Sequence, residues 1–297
     1  IRGCNKNKIP LVLAQARFSK NTLKKWYLFK KFFRALLESF DLIIAQSSAT
    51  KKELYKYANI KVNTIYNLKN SSPQLNIKPN EVNKINKNIH DKFIITALST
   101  HEGEERILLK ALKEISKKIK HTVLILQPRH PHRANKIIKQ IQKYNFTWKQ
   151  KSLFEYPNKN TRVYLGDTFG ESGTLIYLSD IVILGGTLSP IGGHNIIEPA
   201  QMAKCILVGN YYSKIQDTIK VFKKNKAIKL LSSNKYISKT IIDLYKDKDK
   251  IINIGKNAYT ITKGYPQKEK IIINKIISIK KINENSKILV TYLYRTQ

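Results

Sequence analysis

The sequence predicts an α/β protein made of two Rossmann-like units, and three observations carry that prediction. Short, wholly apolar runs such as Ile181-Val182-Ile183-Leu184 recur along the chain, the pattern of strands buried on both faces of a parallel sheet. Several of these runs end in glycine-rich or polar loops that lead into helix starts, an arrangement that lines the carboxyl edge of such a sheet with free N–H groups. The stretch 70–90 is polar, weakly periodic and interrupted by Pro73 and Pro79, so it reads as a linker within 297 residues, a length that favours two domains over one. The expected organisation is a first unit over 1–75, a linker over 76–90, a second unit over 91–285 and a tail over 286–297.

In chain order, Ile9 to Ala14 reads as a strand, with Pro10 near its start where a missing N–H does least harm. It delivers Gln15-Ala16-Arg17 at its end. Leu23 to Phe40 carries apolar residues at 23, 26, 29, 33, 36, 37 and 40, which predicts one helix packed on the sheet. Its other surface carries Lys24, Lys25, Lys30, Lys31 and Arg34, able to orient the protein at an anionic leaflet. Leu42 to Ala45 and Ile60 to Ile65 are further strands, joined through a helix over Ser48 to Tyr57, and Tyr66-Asn67-Leu68-Lys69 follows.

A second series begins with the strand Phe93 to Ala97. Ser99 and Glu102 read as a capping box for a helix running to Ile119, with Glu104 and Glu105 in its first turn. The strand Thr122 to Leu126 leads into Gln127-Pro128-Arg129-His130-Pro131-His132, where two prolines fix the loop and leave Arg129 poised as a planar, permanently charged fork. Val163 to Leu165 runs into Gly166-Asp167-Thr168-Phe169-Gly170-Glu171. After Ile181 to Leu184 come Gly185-Gly186 and Gly192-Gly193, then Asn195 as expected N-cap with Glu198 as its capping-box partner. Strands over Cys205 to Val208 and Ala227 to Leu231, with lysine-rich helices from Asn234 to Ile277, complete the expected second unit.

The chain holds 55 Lys plus Arg against 20 Asp plus Glu, a net charge of +35, which attracts polyanions of any class. Cys4 and Cys205 stand far apart without metal-ligand spacing, which argues against a disulfide framework and for a reducing setting. His101, His130, His132 and His194 lack a regular ligand spacing too, so no metal is expected. There is no apolar run of membrane-spanning length and no visible signal peptide. Met202 is the only methionine, so a chain beginning at Ile1 is expected to be a fragment or a processed product.

Ser99-Thr100-His101-Glu102-Gly103-Glu104-Glu105, Pro128-Arg129-His130-Pro131, Gly166 to Glu171 and Gly185-Gly186-Thr187-Leu188 followed by Gly192 to Pro199 together resemble the Kdo transferases. That family moves 3-deoxy-D-manno-octulosonic acid (Kdo) from CMP-Kdo onto the lipid A precursor. The resemblance runs from about residue 9 to about residue 225 and departs from the family at Phe169, usually Met, and at Ser172, usually Leu. It implies the GT-B architecture, two Rossmann-like domains facing a cleft, with the donor mainly on the C-terminal domain and no metal or cofactor. It implies CMP contacts at Pro128, Arg129, Phe169, Gly170, Glu171, Asn195, Ile196, Ile197 and Glu198. Arg17 matches the family's Asn-Ala-Arg with Gln15 for Asn, and Lys69 its Gly-Asn-Leu-Lys with Tyr66 for Gly, so both are implied charge-stabilising cations. The family's general base lies upstream of the strand matching Ile9 to Ala14. The N-terminal domain is therefore expected to be incomplete, with base and membrane anchor outside these residues, and the chain to bind CMP without transferring Kdo. The implied partners are CMP-Kdo, the lipid A precursor and the anionic cytoplasmic face of the inner membrane. A GT-B transferase using another nucleotide sugar, and a basic nucleic-acid-binding protein, stay open as alternatives. The latter accounts for the charge but gives no reason for Gly185 to Glu198.

Overall fold

The structure, a computed structural model, describes residues 1–18, 20–281 and 289–292. Its strands in chain order are β1 (Leu11–Ala16), β2 (Leu42–Ala45), β3 (Thr64–Ile65), β4 (Phe93–Thr100), β5 (Thr122–Pro128), β6 (Trp148–Gln150), β7 (Val163–Leu165), β8 (Ile181–Leu184), β9 (Cys205–Val208), β10 (Lys229–Leu230) and β11 (Leu289–Tyr292). They form a four-stranded sheet in the order β11-β1-β2-β3 and a seven-stranded sheet in the order β10-β9-β8-β4-β5-β7-β6. Among the described residues every strand pairing is parallel. The chain divides into two compact units, 1–72 with 264–297, and 73–263.

The second unit shows why its strands read as unbroken apolar runs. Ile181 and Ile183 of β8 pack into the core on one face of the sheet, while Val182 packs on the other with Leu98 and Ile176. Leu124 and Leu126 of β5 divide from Val123 and Ile125 in the same way. With successive side chains pointing to opposite, equally covered faces, a polar residue is admitted only with an internal partner, as Thr96 of β4 has in the Ser179 hydroxyl. The helix Glu104–Lys118 covers the first face through Leu108, Leu109, Leu112 and Ile115. The register aligns the carboxyl ends of the central strands, Leu98 beside Leu184 and Leu126 beside Leu165, so the loops that follow emerge along one edge.

The expected domain boundaries shift. Residues 79–86 form a helix instead of a linker, and Ile85 and Ile89, both fully buried, join Ile94, Val123, Ile125, Tyr164 and Leu175. Ile85 is the one buried side chain within that helix and Ile89 follows it in the next turn, so the segment shows little apolar periodicity. At the other end, the helix Tyr265–Lys281 belongs to the first unit, where Ile272 packs on Val12, Ile44 and Tyr66. Within the expected tail, Leu289–Tyr292 pairs with β1, and residues 286–288 and 293–297 lie outside the described residues.

In the first unit the single helix expected over 23–40 is two, Lys20–Tyr27 and Lys30–Glu38. Leu23, Phe33 and Leu37 form the buried stripe. The chain breaks at Leu28-Phe29 because Trp26 turns back to stack on Phe33, with centroids 5.1 Å apart. That leaves Tyr27, Leu28, Phe29 and Phe32 exposed among the exposed lysines 24, 25, 30 and 31. The helix Ser48–Ala58 is capped at both ends: Ser47 Oγ accepts from the Thr50 N–H, and Asn59 closes the far end at φ 57.

Candidate functional site

The loops after β4, β5, β7, β8 and β9 share the carboxyl edge of the second sheet, and two buried glutamates hold three of them together. Glu104 is fully buried; its Oε2 accepts from the His101 N–H at 2.9 Å and the Gly186 N–H at 2.8 Å, and its Oε1 from the Leu188 N–H at 2.9 Å. Glu105, also fully buried, takes a fork of two 2.9 Å bonds from Arg133 and a 2.7 Å bond from the Thr100 hydroxyl. The expected capping box at Ser99 does not form. The helix starts at Glu104 with Gly103 as N-cap at φ 91, and Ser99 stays in β4 at φ 57. The acidic run thus braces the strand ends from inside, and Arg133, which completes it, had no distinguishing signal beyond a basic residue preceding a helix.

The glycines of the β8 loop are required by contact. A Cβ at Gly185 would meet the carbonyls of Leu98 and Ser99 at 2.4 and 2.3 Å, and Gly186 sits at φ 68. Its carbonyl accepts from the N–H groups of both Gly192 and Gly193, which folds the loop onto itself. Asn195 holds the next turn, with Oδ1 accepting from the Ile197 N–H and Nδ2 donating to Glu198 Oε1 at 3.0 Å. The helix here is the single turn Ile197–Gln201 with Ile196 as N-cap, so the capping box expected between Asn195 and Glu198 is replaced by a side-chain pair. Ile196 and Ile197 are buried and Glu198 is half-buried.

The loop after β7 mixes bracing and exposure. Asp167 is buried and saturated, accepting from Gln150 Nε2, the Ser152 hydroxyl and the Ser152 N–H at 2.7 to 2.9 Å. Phe169 is 82% exposed and Gly170 turns the chain at φ 74. Glu171 is only 6% exposed: Lys78 Nζ donates to its Oε1 at 2.8 Å, and its Oε2 has no hydrogen-bond partner among the described residues. Lys78 falls in the stretch expected to be linker, which hid it. Beside this loop, Pro128 is buried at the end of β5, and Arg129 donates its N–H to the Thr100 carbonyl at 3.0 Å while remaining exposed.

Histidines gather on the same edge. His101 Nε2 lies 2.6 Å from His194 Nε2 with the rings near parallel, and His130 meets His101 edge-on at 5.9 Å between centroids. Burial pushes the His101 pKa below its ordinary value, opposed by Glu104 and reinforced by His130 and Arg133. Among the described residues no group of three or more His, Cys, Asp or Glu is placed to hold a metal ion.

The other two predicted residues, Arg17 and Lys69, stand in the first unit, both exposed, after β1 and in the turn Leu68–Ser71. Gln15 adopts φ 54 and donates through Nε2 to the Tyr66 carbonyl at 2.8 Å, tying the two segments together. Tyr66, which stands for the Gly of the resembled motif, is not among the residues with positive φ; its ring is buried against Val12 and Ile44 and its hydroxyl bonds Ser71.

A family model described as 3-deoxy-D-manno-octulosonic-acid transferase (kdotransferase) matches residues 1–72. The 3-deoxy-D-manno-octulosonic acid transferase of Rickettsia felis is 31% identical over 220 residues, 73% of this chain and 47% of the relative. That of Haemophilus influenzae is 33% identical over 208 residues, 68% and 48% of the two chains. The chain thus spans about half the length of these curated relatives. Among solved structures, the C-terminal CMP-Kdo binding domain of WaaA from Acinetobacter baumannii superposes with a TM-score of 0.55 at 25% identity, covering 60% of this chain and 96% of that one. A glycosyltransferase from Rickettsia africae gives a TM-score of 0.61 at 16% identity over 96% of this chain and 80% of its own, a likeness of fold. The fold is of the GT-B type, and the α/β class expected from the sequence holds.

Proposed function

From the premise that this chain belongs to the Kdo transferase family, we propose that it serves as a glycosyltransferase of lipopolysaccharide synthesis, with CMP-Kdo as donor and the lipid A precursor as acceptor. The reaction is displacement of CMP from the anomeric carbon of Kdo by an acceptor hydroxyl, whose proton a general base removes. Cations and N–H groups around the departing phosphate can stabilise its charge. In this reading Pro128, Arg129, Phe169, Gly170, Glu171, Asn195, Ile196, Ile197 and Glu198 form the CMP site, and Arg17 and Lys69 supply positive charge from the first unit.

The observation that carries the proposal is the buried Oε2 of Glu171. A carboxylate oxygen removed from water and left unpaired is costly, and a donor from the ligand offsets that cost. The cytosine amino group and the ribose hydroxyls are donors of the right kind. Exposed Phe169 beside it offers a ring face to a base. The test is Glu171→Gln. Its amide oxygen can keep Lys78, while an NH2 in place of Oε2 meets the ligand donor head-on, so CMP affinity falls by about 1.5 to 3 kcal/mol with unfolding unchanged. Equal CMP affinity in the folded variant would remove Glu171 from the site, and UMP bound as tightly as CMP would favour another nucleotide sugar.

The exposed turn Tyr27 to Phe32, rimmed by lysines, fits peripheral attachment to an anionic bilayer, apolar side chains entering the interface and ammonium groups meeting the headgroups. No described helix is long and apolar enough to cross a membrane.

A further inference from the structure

We propose that His101 and His194 form a proton-holding grip for the phosphoryl group: a phosphate bound at the ends of β4 and β8 draws a proton onto the pair and is held by the resulting imidazolium. The inference rests on the CMP-binding reading above and adds two residues to it. Its basis is geometric. Two Nε2 atoms 2.6 Å apart can bond only if one carries a hydrogen and the other does not, so the pair in contact is neutral or singly charged. An arriving anion that accepts from both rings removes this restriction. The proton comes from solvent and returns there when the nucleotide leaves.

The surroundings favour an external anion over an internal one. The acids facing His101 are Glu104 and Glu105, and both are occupied: Glu104 by three backbone N–H groups, Glu105 by Arg133 and Thr100. From the β5 loop the pair is faced by His130, with His132 behind it at 5.6 Å, and by Arg133. The loop after β9 brings Lys214 against Gly192. Burial disfavours the charged form of His101 and lowers its pKa. The β8 loop is shaped around the second ring: a Cβ at Gly186 would come within 3.1 Å of His194.

The experiment is calorimetric titration of the full chain with CMP at pH 7.5 in two buffers of different ionisation heat, with the affinity also followed from pH 8 to pH 6. CMP titrates in this range itself, so His194→Asn and His101→Gln provide the nucleotide's own contribution. The expected result is extra proton uptake in the wild-type protein, and an affinity that gains about tenfold more between pH 8 and 6 than in either variant, the effect of one pKa moved by about a unit. Imidazole NMR resonances of the wild-type protein should shift toward imidazolium on adding CMP. Unchanged proton uptake and pH profile in folded variants, or imidazole signals that ignore CMP, would overturn the grip while leaving CMP binding intact. A wild-type chain that fails to bind CMP would instead overturn the functional reading and this proposal with it.

Discussion

Arg129 and His101 stand on one sheet edge, one exposed and one partly buried, and carry separate predictions for binding and for folding. Arg129 is exposed, and its backbone N–H bonds the Thr100 carbonyl, so its exposed guanidinium can serve a ligand without serving the core. Arg129→Ala should weaken CMP binding by about 1.5 to 3 kcal/mol, the scale of a bond to a charged group, and leave thermal unfolding in place. Isothermal titration with a parallel melting curve checks both halves. For His101 the sign runs the other way from a salt-bridged histidine. Burial, the largest influence, lowers its pKa in the folded state below the ordinary 6.5. The neutral ring therefore contributes stability that is fully present above the unfolded value and is lost as pH falls through the depressed one. Urea midpoints at pH 7.5 and 5.5 should differ less in His101→Gln than in the wild-type protein; an equal or larger drop in the variant would contradict the assignment.

At the scale of elements, the apolar turn between Lys20–Tyr27 and Lys30–Glu38 makes a separable claim. Phe29→Ser removes a ring exposed in the folded protein, so stability should hold while binding to anionic vesicles weakens about tenfold, near the lower value for burying such a side chain. Vesicle co-sedimentation at two salt concentrations checks it, and binding unaffected by both the substitution and the salt would rule the turn out. The same elements show what a sequence can reveal. β4, β5, β8 and β9 were legible because both faces of each are covered, so each carries a run of consecutive apolar side chains, interrupted in β4 by buried Thr96. The helix over 79–86 was not, since it buries only Ile85, with Ile89 in the turn after it, and the break at Leu28 was not, since Trp26 stacking on Phe33 is a tertiary event that periodicity does not encode. In the site, glycines and exposed Arg129 were legible as chemistry at strand ends. The partners were not: Lys78 on Glu171, Arg133 on Glu105 and His101 on His194 meet across 28 to 93 positions of sequence.

At the scale of the molecule, the second unit is continuous in sequence and the first is assembled from both sides of it. A polypeptide of residues 73–263 should fold alone, melt cooperatively and bind CMP within about tenfold of the full chain, about 1.4 kcal/mol. Residues 1–72 alone should not fold, because the helix Tyr265–Lys281 that covers Val12, Ile44 and Tyr66 is then missing. Circular dichroism melts and CMP titration of the two fragments check this, and a cooperative melt of 1–72 would refute it. The interruption also bears on the order of assembly. For β1, β2 and the helix Tyr265–Lys281 to meet, the chain must close a loop through all of residues 73–263. The entropy of that closure grows with the length of flexible chain spanned. Once the inserted unit has folded, its two ends are held at a set separation and the flexible length shrinks to a few residues on each side. Folding of the seven-stranded sheet should therefore come first in time and speed completion of the four-stranded one, so that substitutions slowing the insert delay both.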